Sequence, residues 1–186
     1  MLELITKNRS YRRFYQEISI SMETLRAWVN LARLSASGMN AQPLKYRLIN
    51  DAQTCAQIFP MLAWAGYLKE WNGPIEGERP SAYILVLGDK NIRESFGIDH
   101  GIAMQSILLG AVEAGFGGCI IGSIQREKLS EAIKLPEQYQ ILNILALGKP
   151  KESVVLEELQ GDDIRYYRDA DDVHHVPKRG LDDLIV

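Results

Sequence analysis

Three arginines, Arg9, Arg12 and Arg13, fall within five residues near the start of the chain, with the hydroxyl of Ser10 between them. A guanidinium is planar, permanently charged and offers paired donors that match phosphate oxygens. The spacing suits a terminal phosphate; a solvated charge cluster with no ligand is the alternative. A second polar group, Ser37-Gly38-Met39-Asn40-Ala41-Gln42-Pro43, follows an apolar helical pattern. Asn40 and Gln42 each carry a carbonyl and an amide, so they can pair with a ring edge on which donors and acceptors alternate. Nucleobases and flavins have such edges; a helix end followed by a turn would use the same residues. A third group runs from Gly115 to Ser123, with glycines at 115, 117, 118 and 122. Glycine permits unusual backbone angles and lets main-chain N–H groups approach a ligand closely. These glycines follow a helical pattern rather than a strand, which argues against the dinucleotide-binding G-x-G-x-x-G turn.

Other chemistries find little support. His174 and His175 are sequence neighbours, and His100 has no second ligand at helical spacing, so a metal site is not expected. Cys55 and Cys119 read as small buried apolar residues rather than a disulfide framework. Neither a G-x-S-x-G nucleophile turn nor a P-loop occurs. The net charge of -3 argues against nucleic acid as a partner. With 46% apolar and 24% charged residues over 186 positions, a single globular domain spanning residues 1–186 is expected. No N-terminal apolar run has signal-peptide character and no stretch of about twenty apolar residues occurs, so the expectation is a cytoplasmic protein without membrane contact.

The elements that must position these groups follow from periodicity. A short helix over residues 1–7 leads into the basic segment. Ser21 caps a helix in which Leu25, Trp28, Val29 and Ala32 recur at helical spacing. Residues 45–50 are extended, residues 51–62 helical, and residues 64–80 form a loop with aromatic mass. The runs Ser81–Gly88 and Tyr139–Gly148 are near-continuous apolar strands, expected to be buried on both faces. Asp99 is expected to cap a long helix ending near Ala114, with Gly115, Gly117 and Gly118 stopping it. A strand over residues 119–124, a helix over 125–134 and an edge strand over 154–159 follow. The tail from about Gly161 onward is charged and offers little core of its own. One sheet with helices against it, an α+β fold, accommodates this order.

Taken in order, the motifs resemble one family. Arg9-Ser10-x-Arg12, then Ser37-x-x-Asn40-x-Gln42-Pro43, then Asp99-x-Gly101-x-Ala103-x-Gln105, a glycine-rich turn, and a strand ending Leu147-Gly148-Lys149-Pro150 match the succession in the nitroreductase family of FMN-dependent oxidoreductases. The tail His175-Val176-Pro177-Lys178-Arg179 is similar to that of its compact branch. The resemblance implies an α+β fold with a mixed central sheet flanked by helices, working as a homodimer whose tails are exchanged between subunits. It implies that Arg9 and Ser10 hold the FMN phosphate and ribityl chain, and that Arg12 faces the pyrimidine edge of the flavin. Ser37, Asn40 and Gln42 would reach the flavin from the neighbouring subunit. The backbone at Ile121 and Gly122 would face the hydride-accepting N5, and Lys178 and Arg179 would complete the phosphate site. The implied reaction is ping-pong hydride transfer from NAD(P)H to a small acceptor, a nitroaromatic or quinone, with no catalytic side chain. Dehalogenation or ring dehydrogenation by the same fold, or a non-catalytic flavin-binding dimer, are the alternatives. Asn8 stands where many members carry a further arginine, so Arg13 or the tail pair would have to compensate. Trp64, Tyr67 and Trp71 would form either a lid over the flavin or part of a dimer core.

Overall fold

The computed structural model describes residues 1–186. The chain forms α1 (Leu2–Lys7), β1 (Phe14–Tyr15), α2 (Met22–Leu34), β2 (Leu44–Ile49), α3 (Ala52–Ile58), β3 (Ala82–Asp89), α4 (Asp99–Glu113), β4 (Gly117–Ile121), α5 (Arg126–Ala132), β5 (Tyr139–Pro150), β6 (Val154–Glu158), β7 (Tyr167–Arg168) and β8 (His174–Lys178). None of the helices is long and apolar enough to cross a membrane.

β5 is the spine of the main sheet. Along one edge it pairs antiparallel with β3, which pairs in turn with β2; along the other it carries β4 and then β1. Residues on β3 alternate between two hydrophobic cores, as a strand of period two requires. Tyr83, Leu85 and Leu87 join Ile58, Leu62 and Leu129 on the α3 and α5 face. Ala82, Ile84 and Val86 join Trp28, Met104 and Ile107 on the α2 and α4 face. Every residue of β3 is buried, which accounts for the apolar run from Ala82 to Leu87.

Local chemistry sets several boundaries. Ser21 accepts a hydrogen bond from the Thr24 N–H and starts α2, and Asp51 does the same for α3 through Thr54. α4 ends through Gly115, which adopts a positive φ of 74°. Gly117 and Gly118 do not stop that helix; they lie inside β4. A Cβ on Gly118 would stand 2.6 Å from the Ala146 carbonyl oxygen, and one on Gly117 would stand 2.6 Å from the Tyr11 ring. The glycines therefore let β5 and the N-terminal segment press on β4, rather than opening the backbone to a ligand. Asp99 is likewise not the cap of α4, which begins after Ile98 with no side-chain cap.

The tail departs most from the sequence reading. β6, β8 and β7 form a second sheet, β6 parallel and β7 antiparallel to β8. The tail does have partners within its own chain, and they are aromatic and ionic rather than aliphatic. The Arg168 guanidinium lies 4.3 Å over the Trp71 ring, Tyr166 packs on Tyr67 at 5.0 Å, and His174 is 1% exposed. Trp64 is buried in this chain's own core with Ile58 and Leu62, and Trp71 packs against the same core.

Candidate functional site

After α1 the chain leaves helical angles at Asn8 and crosses β4 as an extended strap. Ser10 makes a parallel bridge to Gly118, and the Tyr11 N–H donates to the Gly118 carbonyl at 3.0 Å. This strap fixes the three arginines and separates their roles. Arg13 is committed: it grips Glu78 through two nitrogens at 2.6 and 2.9 Å and also bonds Asp172. The contacts of Arg13 and Lys151 hold the Glu78 carboxyl down at about 2, so Arg13 is a structural tie and cannot stand in for Asn8. Arg9 and Arg12 have no carboxylate partner. Arg9 donates one bond to the Ile5 carbonyl at 2.8 Å, and its Nε is buried with no acceptor. Arg12 is 8% exposed, donates to the Ser10 carbonyl at 3.2 Å, and lies 3.4 Å from His174 Nε2 and 5.0 Å from the Tyr166 ring centre.

Two lobes meet at Arg12. One, of about 290 Å³, is lined by Asn8, Arg9, Ser10, Tyr166, His174 and Lys178, with Arg12 at its inner end. The other, of about 190 Å³, is lined by Trp64, Ala65, Cys119, Ile121 and Gly122, again with Arg12. The first is cationic and the second largely apolar. The Gly122 carbonyl accepts from Arg126 at 3.1 Å and the Ile121 carbonyl from Asn143 at 3.5 Å, which orients this backbone corner. His174 sits in the cationic lobe with Nδ1 unpartnered. Burial, then the charges of Arg12 and Arg168, push its pKa down to about 4, so it is neutral at pH 7 and adds no positive charge.

Ser37, Asn40 and Gln42 lie elsewhere. The segment turns tightly, with Met39, Asn40 and Gln42 all at positive φ. Asp99 holds this strained turn: it accepts from the Ser37 hydroxyl at 2.6 Å and the Gly38 N–H at 2.9 Å. The Ser37 hydroxyl in turn accepts from the Gln42 N–H at 2.9 Å. These contacts keep the Asp99 carboxyl below its usual range, Ser37 contributing most. A separate cavity of about 220 Å³ is lined by Ser37, Gln42, Tyr46 and Asp99. Within one chain, then, Arg9, Ser10, Arg12, Ile121, Gly122 and Lys178 share a cleft. Ser37, Asn40 and Gln42 do not reach it, and the side chain of Arg179 is exposed beyond it.

Three site neighbours carried no usable sequence signal: Tyr166, His174 and Glu152. The Glu152 carboxylate is fully buried beneath the strap, accepts from the backbone N–H groups of Arg12 and Arg13, and pairs with Arg168 at 3.0 Å.

An antiparallel sheet spined by one long strand, covered by helices on both faces and bearing a cationic cleft at its N-terminal strap, defines an α+β architecture. The nitroreductase family model matches residues 5–149, and the chain belongs to that family. Among solved structures, a nitroreductase family protein from Clostridium novyi NT is 25% identical, with 81% of this chain and 86% of that one covered at a TM-score of 0.65. An FMN-dependent nitroreductase from Clostridium difficile R20291 shares the fold at 20% identity, covering 87% and 92% at a TM-score of 0.67. An Exiguobacterium sibiricum 255-15 protein of the nitroreductase type, solved in complex with FMN, shares it at 21% identity, covering 81% and 88% at a TM-score of 0.68. No curated protein matches the chain.

The residues present fit FMN. Two unpaired guanidinium groups, a lysine and a serine hydroxyl around one lobe suit a phosphate, and the unsatisfied buried Arg9 Nε offers a donor to it. The neighbouring lobe, walled by Trp64 and Ile121, suits an aromatic ring. FMN carries both a phosphate and a tricyclic ring, so it would need both lobes.

Proposed function

We propose that this protein is an FMN-dependent oxidoreductase that passes hydride from NAD(P)H to a small acceptor, such as a nitroaromatic or quinone, in two half-reactions sharing one pocket. The observation that carries this reading is the convergence of Arg9, Ser10 and Arg12 from one end of the chain with Lys178 from the other on a single cavity, in a member of the nitroreductase family. When bound, FMN supplies the two-electron chemistry. Arg9, Ser10 and Lys178 hold the phosphate. Arg12, buried and without a counter-ion, contributes a fixed positive charge where water is scarce, which favours negative charge developing beside it. The Gly122 backbone contributes a donor, and Trp64 an apolar wall. No side chain needs to act as acid or base.

The reading also includes a homodimer. Ser37, Asn40 and Gln42 do not reach the arginine cleft of their own chain, so they would complete that of a second copy. Leu34 at the end of α2 and Ile98 just before α4 are exposed apolar side chains beside this segment, and Met39 is exposed within it. A tail exchanged between copies would make in trans the contacts that His174 makes here with Arg12 and Arg168 with Trp71.

Anaerobic mixing of the purified protein with NADH and with NADPH tests the reaction. The visible flavin bands should bleach with at least one of them and return on adding a quinone or nitroaromatic. Bleaching by dithionite but by neither nicotinamide would reject the proposed reductant and leave the alternatives.

A further inference from the structure

A cavity of about 280 Å³ lies on the α3 face of the sheet, between α3, the first residues of β3 and the loop before them. It shares no lining residue with either lobe of the arginine cleft. Three of its polar groups are buried without a partner: the Tyr83 hydroxyl, the Ser81 hydroxyl and Arg79 Nε. Tyr83 is 0% exposed. Buried polar groups are almost always paired, and three orphans around one cavity mark a place built to be filled.

The groups also have a definite character. Arg79 forms no ion pair; its guanidinium lies 4.3 Å over the Phe59 ring. Its main chain is pinned, because Gln16 Oε1 accepts from the N–H groups of both Gly77 and Arg79 at 2.8 and 3.2 Å. Burial pushes the Cys55 thiol up to about 11 and raises the Tyr83 phenol further, so both remain protonated. The lining therefore offers one fixed positive charge, the two unpartnered hydroxyls of Ser81 and Tyr83, and an apolar wall of Phe59, Ala52 and Ala56. Glu76 at the rim is exposed and supplies the only carboxylate.

We infer that this cavity binds a small organic carboxylate, the anionic end held by Arg79, Tyr83 and Ser81 and the apolar body against Phe59 and Ala56. Water can satisfy the hydroxyls but gives Arg79 no counter-charge. A phosphate dianion would meet one cation and the rim carboxylate, a poor match. The inference is independent of the flavin chemistry proposed above.

Calorimetric titration of the full chain as purified, with benzoate and with neutral benzyl alcohol, tests it. Benzoate should bind saturably at one site per chain, and benzyl alcohol at least about tenfold more weakly, the factor expected for losing a charge-assisted pair. Arg79→Gln should weaken benzoate about tenfold or more, and Tyr83→Phe by a smaller factor. Arg79→Lys should retain part of the affinity, and Arg12→Ala all of it. Absence of saturable benzoate binding, equal binding of the two probes, or loss of benzoate in Arg12→Ala with retention in Arg79→Gln would each overturn the assignment. The comparison of the two probes needs no variant, so the test stands even where a substitution prevents folding.

Discussion

Arg9, Arg12 and Arg13 look equivalent in the sequence and are not equivalent in the molecule. Arg13 is bound to Glu78 and Asp172, whereas Arg9 and Arg12 keep their charge for something else. The cluster was legible as a candidate anion site because guanidinium chemistry is local. The division of labour was not, because it depends on carboxylates 65 and 159 residues away. Glu152 was hidden for the same reason: it belongs to an acidic stretch that reads as solvated surface, yet its carboxylate closes the strap against Arg168. Removing one member of a buried pair leaves the other charge uncompensated. Glu152→Ala should therefore lower stability by about 3–5 kcal/mol in urea denaturation. A loss below about 1 kcal/mol, the level of an exposed pair, would show that the strap is not held this way.

Helices and strands with strong periodicity or clear caps were readable: α2 and α3 start at their capping residues, and β3 and β5 fill the two long apolar runs. Two elements were less legible. β4 was read only in part, as a strand over 119–124: Gly117 and Gly118, its first residues, read as a turn, because the constraint on them is proximity to β5 and Tyr11 rather than any local preference. Gly118→Ala should force β4 from the Ala146 carbonyl and cost about 1–3 kcal/mol, as overpacking does; an unchanged urea midpoint would contradict that packing. β8 was unreadable because it is buried by rings and ions of its own tail. Its two histidines should respond to pH in opposite directions. His174 has a folded pKa near 4, below its unfolded value of 6.5, so the unfolded chain binds the extra proton. Its contribution to stability is present above pH 6.5 and is lost as pH falls toward 4. His175 is raised by its contacts with Asp169 and Glu157, so its contribution is present below pH 6.5 and lost on going above it. His174 is buried and His175 lies among solvated carboxylates, so the first should dominate. Hydrogen exchange of the β8 amides should be slower at pH 7 than at pH 5, once corrected for intrinsic rates, and His174→Phe should flatten the difference. Greater protection at pH 5 in the unsubstituted chain would reverse the assignment.

Two cores on opposite faces of one sheet make a rigid body, and the cleft lies where both ends of the chain cross its β4 side. The α+β architecture followed from element order alone. Which distant segments meet did not, because neither period nor composition carries that information. The resemblance of ordered motifs raised the expectation that Arg9, Ser10, Arg12, Ile121, Gly122 and Lys178 face one ligand, and the proposal that Ser37, Asn40 and Gln42 join them from a second copy rests on it too. The proposed flavin site depends on a phosphate gripped by cations from both chain ends. Equilibrium titration of the flavin-stripped protein with FMN and with riboflavin, which lacks the phosphate, measures that grip. FMN should bind more tightly than riboflavin, by at least the tenfold or more that one charge-assisted contact of about 1.5–3 kcal/mol provides. Arg9→Ala should weaken FMN while leaving riboflavin unchanged. Equal affinities for the two flavins, or an Arg9→Ala chain that retains FMN undiminished, would contradict it.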